Sequence, residues 1–353
     1  MTENRAQGLT LVIGAGQAGL AAAWHLRRAG MSYRLVEAAD RVGDSWRQRY
    51  DALTMFTPRF LSALPGMRLE GEGEGYAVRD EFAAYLEEYA RRFAIRVETG
   101  RRVARLTKSD DGGFVAGMAD GERILATNVI VATGAFQQPN IPPLADGLDP
   151  AVTQIAASAY RNPAGVPKGT VLVVGDGASG RDIAVELAAT HRVILAAGKP
   201  RKLFSERVLG RSMWWWLARM RLLYVPTDSV LGRVMRRTDP LPDRDRNLDS
   251  LRRRGVIVVG RLTSAHGHLA SFADGGSEPI DTVVWTTGYR DDSGWVDIPG
   301  VASADGTFLH RNGISPVPGL YFVGRPWQRN RASGLVMGAG RDAAWIVTRI
   351  ARG

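Results

Sequence analysis

Residues 9–37 read LTLVIGAGQAGLAAAWHLRRAGMSYRLVE. An apolar run from Leu9 to Ile13 meets Gly14-Ala15-Gly16-Gln17-Ala18-Gly19, a helical pattern follows as far as Gly30, and a second short apolar run ends on Glu37. The order predicts strand, turn, helix and strand, the opening unit of a dinucleotide-binding α/β fold. Gly14 allows the tight turn, Gly16 lets backbone approach a pyrophosphate, and Gly19 lets helix and strand pack closely, while the free N–H groups of the helix face the anion. Glu37 then accepts hydrogen bonds from a ribose. This first site is expected to take an adenine dinucleotide whose ribose is free.

The same grammar returns later in the chain. Val171 to Val174 reads as a strand, Gly175-Asp176-Gly177-Ala178-Ser179-Gly180 as the turn, Arg181 to Thr190 as the helix and Arg192 to Ala197 as the second strand. Where the first unit carries Glu37, the second carries Lys199, Arg201 and Lys202, with no acid before Glu206. Bases at this place suit a 2′-phosphate, so the second site is expected to take NADPH. A charge-assisted hydrogen bond contributes about 1.5 to 3 kcal/mol, a preference over NADH of roughly tenfold to a hundredfold per contact.

Composition narrows the classes. The 353 residues suffice for two domains, and 45% hydrophobic with 23% charged residues is ordinary for a globular chain. The net charge of +10 comes from scattered arginines, which fits anionic coenzymes and a solvated basic surface, with nucleic acid not expected. Absence of cysteine excludes disulfides, thiolate metal sites and cysteine redox chemistry. The five histidines form no metal-like constellation. Only eight residues precede the opening run, and no apolar stretch approaches the ~20 residues of a membrane span, so a cytoplasmic protein is expected.

Between and after the two units lie the remaining candidates. Arg41 to Pro58, punctuated by Gly43, Asp44, Ser45 and Pro58, reads as a loop carrying Trp46 and Arg47, with Trp46 either against a flat ring system or anchoring the loop. Asp80 is a candidate cap for a helix with Phe82, Tyr85, Leu86, Tyr89 and Phe93 as its core stripe. Short alternating runs from Arg101 to Leu125 suggest a small antiparallel ribbon. Thr127 to Gly134 reads as a buried strand ending on Thr133-Gly134, and Thr282 to Tyr289 as another ending on Thr287-Gly288-Tyr289. Gln137 to Pro143 and Asp291 to Gly294 are the linker candidates. Ser212 to Tyr224, with Trp214, Trp215 and Trp216, is expected to be a helix packed between domains; membrane contact or a roof over a substrate channel are the other readings. In the tail, Gly319 to Gly324 is a strand and Ser333 to Gly340 a glycine-rich entry into a helix from Arg341 to Ile350, whose N–H groups suit a partially negative ring edge. Residues 1–145 with 292–353 are expected to form one domain and 146–291 an inserted one.

Taken together, Gly14 to Gly19, Gly43 to Arg47, Thr133-Gly134, Gly175 to Gly180, Thr287 to Tyr289 and the ending from Gly319 to Asp342 resemble the two-dinucleotide flavin-containing monooxygenases, in their compact bacterial and YUCCA-like form. The resemblance implies an α/β fold of two Rossmann-like domains, with the NADPH domain inserted in the FAD domain. It implies cofactor contacts from Gly14, Gly16, Gln17, Ala18, Gly19, Glu37, Ala38, Gly43, Ser45, Trp46, Arg47, Val103, Thr133, Gly134, Gly324, Gly334 and Gly338. Further contacts would come from Gly175, Gly177, Ala178, Ser179, Gly180, Lys199, Arg201, Lys202, Thr287, Gly288 and Tyr289. In that family NADPH reduces the flavin, O2 adds to give a C4a-hydroperoxide, and a small organic substrate takes one oxygen by N- or S-oxygenation or in Baeyer–Villiger fashion. The flavin supplies the hard chemistry, so no catalytic triad is expected.

The resemblance breaks at identifiable places. The family's signature between the two turns keeps its final aromatic at Tyr160, but its Phe, Gly and His fall on Pro150, Val152 and Ala156. The Asn after the Trp loop falls on Phe56, and the Asn of the second turn on Ala178. Two other functions therefore stay open: an NADPH-dependent reductase or oxidase that passes electrons on or makes hydrogen peroxide, and a non-catalytic redox sensor. Pocket walls are expected from the Trp46 to Phe60 loop, the Trp214 region and the tail near Trp327.

Overall fold

The computed structural model describes residues 8–352. Strand Thr10–Ile13 is buried at every position, as a strand covered on both faces must be. It pairs in parallel with Tyr33–Val36 on one side and Asn128–Val131 on the other, and Leu320–Phe322 completes this four-stranded sheet beyond Asn128–Val131. Alternation divides its side chains: Val12 joins the helical layer, while Leu11 and Ile13 join the opposite one. The helical layer contains α1 (Gln17–Arg28), α3 (Arg79–Arg92) and, from the far end of the chain, α8 (Val336–Ile350); α2 (Asp44–Arg47) is one turn placed on α3. The other face is covered by an antiparallel ribbon of Val103–Lys108, Phe114–Met118 and Arg123–Ala126.

A second sheet holds five parallel strands in the order Ile257–Val259, Arg192–Ala196, Thr170–Val174, Thr282–Trp285, Thr153–Ala156. Helices α4 (Ala178–Ala188) and α7 (Leu248–Arg253) pack on it, and α5 (Met213–Arg219) and α6 (Val230–Thr238) lie between them in the chain. The α/β class with parallel sheets is thus as the sequence implies. In both sheets the glycine turn follows an interior strand and lies at the carboxyl ends of its neighbours, where parallel sheets bind ligands. Chain passes from the first sheet through Gln138–Pro139 and returns through Tyr289–Arg290, and these two short segments pair antiparallel with each other. Among the described residues no helix is long and apolar enough to cross a membrane.

Several elements differ from the sequence expectation. Helix α3 starts at Arg79, so Asp80 is a first-turn acid paired with Arg79 and the capping position is Val78. Helix α4 starts at Ala178, inside the glycine turn, because Gly177 with extended backbone is already its N-cap. Helix α8 starts at Val336, five residues before Arg341, and absorbs Gly338 and Gly340. A Cβ at Gly338 overlaps the carbonyl of Ala332, and one at Gly340 reaches Pro65 Cγ at 2.5 Å, so these glycines serve close packing. The expected loop after Arg41 contains the α2 turn, closed by the Arg47–Asp44 ion pair at 3.2 Å. Helices α6 and α7, and a second antiparallel ribbon over 262–279, have no counterpart in the sequence reading.

Candidate functional site

The first glycine turn is held by backbone on two sides. Gly14 has φ +96°, and a Cβ there lies 2.9 Å from Ala132 O, beside the chain leading into Thr133. A Cβ at Gly19 overlaps the carbonyl oxygen of Gly14, so only glycine lets α1 start this close to its strand. Helix α1 has Gly16 as N-cap and no side-chain cap bond, which leaves its first N–H groups to a ligand. Glu37 closes the mouth: Oε2 accepts from Ala15 N at 2.6 Å and Oε1 from Ala39 N at 3.0 Å. A carboxylate so fixed still has lone pairs for a diol. Ala38 beside it is exposed. Arg101 N donates to Glu37 O at 2.8 Å, and Val103, two residues on, packs on the cluster containing Val36.

The α2 turn is brought to the same helix end. Ser45 Oγ lies 3.9 Å from a Cβ at Gly16, and Trp46 Nε1 donates to Gln17 Oε1 at 3.1 Å. Trp46 packs edge-on against Phe82, at 4.7 Å between ring centroids, so its ring is anchored from behind. Gly43 backs onto the Ala83 carbonyl, and Arg47 bonds Val42 O at 2.8 Å and Glu87 at 2.8 Å, tying the turn to α3. From the tail, a Cβ at Gly324 would meet Ala18 Cβ at 2.8 Å, so the end of strand Leu320–Phe322 lies on the first turn of α1. Gly334 is backed by Pro326, and Gly338 is in the first turn of α8. Thr133 and Gly134 accept from Gln137 Nε2, each at 2.7 Å, and Gly134 has open space where a Cβ would stand.

The second turn repeats this construction with different clamps. Gly175 has φ +105° with Thr286 O 2.6 Å from its Cβ position, and a Cβ at Gly180 overlaps the Gly175 carbonyl. Thr286 Oγ1 donates to Val174 O at 2.8 Å and Gly175 O at 2.7 Å, which pins the turn to the neighbouring strand. Thr287 donates to Asn140 O, Gly288 borders open space, and Tyr289 meets Phe136 edge-on. Ala178 is exposed and Ser179 half-buried at the start of α4. Of the three bases, Arg201 is drawn to the turn: its Nε donates to Asp176 at 3.3 Å and its Nη2 lies 3.9 Å from the Gly177 Cβ position. Lys199 and Lys202 are exposed beside it.

Sequence reasoning missed the pair beneath that arginine. Asp176 and Arg181 are both buried and joined at 3.0 Å, with Arg181 also donating to Asp176 O at 2.9 Å and Arg246 O at 2.7 Å. The available signal was an acid inside the glycine turn and an arginine five residues later. Tyr50 and Tyr160, both buried, donate to Asp182 at 3.1 Å and Glu186 at 2.9 Å on α4, so Tyr160 is a positioning group of the second sheet.

An apolar cluster lies where three segments meet. Trp214 of α5, Leu223, Ala332 and Met337 are buried together, with Phe56, Leu61, Phe204, Leu217 and Leu335 packed on them. Trp214 is 1% exposed and lies 6.2 Å from the Phe56 ring and 5.6 Å from Phe204. Its buried Nε1 has no partner among the described residues. Phe56 and Trp214, from two of the expected wall segments, thus pack on each other, whereas Trp327 lies under the Arg331 guanidinium.

Near the Thr133-Gly134 turn, Arg325 pairs with Asp291 and reaches Gly134 O at 3.5 Å. His310 is pushed down to about 4 by burial, and Arg325 adds to the shift. The unfolded chain, with a histidine near 6.5, binds a proton first, so stability falls as pH drops from 6.5 toward 4. Thermal melts from pH 7 to pH 4 should show that loss in the wild type and a flatter profile in His310→Phe, which stacks on Phe322 without titrating; parallel profiles would assign the acid loss elsewhere.

The family model described as pyridine nucleotide-disulphide oxidoreductase matches residues 11–208, more than half of the chain. The CzcO-like oxidoreductase of Geobacillus kaustophilus (strain HTA426) is 41% identical over 342 residues, covering 96% of this chain and 97% of that one. The chain belongs to this oxidoreductase family. The indole-3-pyruvate monooxygenase YUCCA1 of Oryza sativa subsp. japonica is 28% identical, across 89% of this chain and 86% of its own length. The solved flavin-containing monooxygenase from Stenotrophomonas maltophilia superposes with a TM-score of 0.80 at 26% identity, covering 97% of this chain and 98% of that one. The resemblance to flavin monooxygenases carried by the glycine turns is therefore borne out, and this enzyme is a flavoprotein oxidoreductase of the monooxygenase kind. With no cysteine, it has no counterpart of the disulphide in the family's description.

Proposed function

We propose that this enzyme is an FAD-containing, NADPH-dependent monooxygenase that oxygenates a small organic substrate with O2, by N- or S-oxygenation or in Baeyer–Villiger fashion, in the cytoplasm. The carrying observation is the contrast between two glycine turns, each feeding a helix without a side-chain cap, one closed by a carboxylate and the other by a guanidinium. The first fits FAD: α1 offers N–H groups, Gly16 leaves room for the pyrophosphate and Glu37 faces the ribose. The second fits NADPH: α4 offers N–H groups, and Arg201, with Lys199 and Lys202, offers charge to a 2′-phosphate. In this reading residues 1–145 with 292–353 form the FAD domain and 146–291 the NADPH domain.

Bound flavin supplies hydride acceptance and the activation of O2. The chain's own residues bind and shield. Trp46, held by Gln17 and Phe82, keeps the α2 turn over the flavin site, and the Phe56, Trp214, Leu335 and Met337 cluster excludes water and favours an apolar substrate. The Trp214 N–H, buried without a partner, suits a substrate bearing one acceptor.

An oxidase reading is favoured by one feature, the apolar Phe56 packed on Trp214 at a position where many relatives are expected to carry an amide. Anaerobic mixing with NADPH or NADH, followed by O2 without substrate, separates the readings. The monooxygenase reduces its flavin at least tenfold faster with NADPH at limiting concentration. It then consumes O2 well before oxidised-flavin absorbance returns, with little hydrogen peroxide released. Immediate return with one peroxide per flavin favours the oxidase, and failure of both nucleotides to reduce the flavin overturns both readings.

A further inference from the structure

Helix α6 turns its apolar stripe away from the protein. At about 3.6 residues per turn, Val230, Leu231 and Val234 share one stripe and Arg233 and Arg237 lie along the adjoining one. A surface helix ordinarily buries such a stripe. Here the three aliphatic side chains are 72%, 47% and 52% exposed, and Gly232 is the buried residue. A Cβ at Gly232 overlaps the Pro226 carbonyl, so the helix sits against the chain through its glycine, with Met235 half-buried nearby.

The helix is well formed despite that exposure. Ser229 Oγ caps it by accepting from Gly232 N at 3.0 Å, Arg236 and Arg237 complement the dipole at its last turn, and the following Asp239 is fastened to Arg331 at 2.7 Å. Charge in this region is strongly one-sided. Arg219, Arg221, Arg233, Arg236 and Arg237 stand against one acid, Asp228, between residues 213 and 238, and among the described residues none of the five makes an ion pair. Met220, 54% exposed, lies between two of them.

An exposed aliphatic stripe bordered by unpaired arginines is complementary to an anionic bilayer surface, and we infer that α6 seats the enzyme on anionic lipid. The aliphatic side chains enter the boundary between headgroups and acyl chains, and the arginines reach lipid phosphates. Nucleic acid would engage the arginines and leave Val230, Leu231 and Val234 without apolar partners. A second copy meeting this face across a two-fold axis would oppose arginine to arginine. This inference stands on the helix itself and does not depend on the reaction proposed above.

Co-sedimentation of the flavin-loaded full chain with vesicles tests it. The wild type is expected to bind vesicles of phosphatidylcholine containing phosphatidylglycerol, to leave phosphatidylcholine vesicles unbound, and to be released by salt. Arg233→Gln with Arg237→Gln should weaken partitioning roughly thirtyfold, at about 1 kcal/mol for each arginine near an anionic surface. Leu231→Glu with Val234→Glu should weaken it at least tenfold, with flavin content and circular dichroism unchanged. Wild-type protein that stays in the supernatant with both vesicle types, or variants that sediment like the wild type, would overturn the inference. So would light scattering in which Leu231→Glu with Val234→Glu turns a dimer into a monomer while neither form binds lipid; that would make α6 a contact between copies.

Discussion

A Gly19→Ala protein is expected to purify without its flavin. The added Cβ overlaps the Gly14 carbonyl oxygen, lies 3.0 Å from its carbon and touches Leu35 Cδ1 at 3.4 Å. The first two are backbone atoms of a turn already pressed against Ala132, so no side-chain rotation relieves the overlap. Either α1 tilts away from strand Thr10–Ile13 or the turn opens, and both displace the N–H groups that would meet a pyrophosphate. The ratio of flavin to protein absorbance should fall to about a tenth of wild type or less, since displacing the pyrophosphate donors costs several factors of ten in affinity, each ~1.4 kcal/mol. Gly180→Ala is the control with the opposite outcome. Its Cβ overlaps the Gly175 carbonyl and meets Thr286 Oγ1 at 2.6 Å, so flavin should be retained and reducible by dithionite. Reduction by NADPH should slow by on the order of a hundredfold, about 2.7 kcal/mol. Two variants that both keep flavin and NADPH reduction would show that these turns do not carry the cofactors.

Arg181→Met is expected to lower the melting temperature by about 10 °C, because the buried Asp176 carboxylate loses its buried partner, at a cost of about 3 to 5 kcal/mol, and keeps only the exposed Arg201. Asp176 would be left with Arg201 at 3.3 Å, and the carbonyls of Asp176 and Arg246 would lose their donors. Replacing both partners by apolar groups of similar size is a different experiment. Asp176→Leu combined with Arg181→Met should recover most of the stability, because no buried charge remains unpaired. It should not recover affinity for NADPH, because Asp176 is also what draws Arg201 over the turn. Calorimetric melts and NADPH titrations of the two single variants and the double variant form a thermodynamic cycle. A single Arg181→Met variant that melts like the wild type would remove this pair from the forces holding the second sheet.

The sequence by itself determined the elements whose requirements are local. Gly14, Gly19, Gly175 and Gly180 announce two strand-turn-helix units because a turn with positive φ and a helix starting against its own strand admit no Cβ, and those constraints act within a few residues. Glu37 was legible for the same reason, standing one residue after its strand. The burial of Phe82, Leu86 and Tyr89 followed from helical spacing.

Tertiary structure decided whatever depends on a partner remote in the chain. Thr286 clamps Gly175 only because its strand lies beside Thr170–Val174, and Phe56 meets Trp214 and Met337 only where three distant segments converge. Helix α8 runs through Gly338 and Gly340, poor helix formers, because Ala332 and Pro65 press too closely for larger residues. The Trp214 to Trp216 stretch is anchored by a buried Trp214, while the exposed apolar surface lies further on, at α6. Spacing shows that a helix has an apolar stripe, but which stripe faces water depends on what the fold sets against it, and in α6 that place is taken by Gly232.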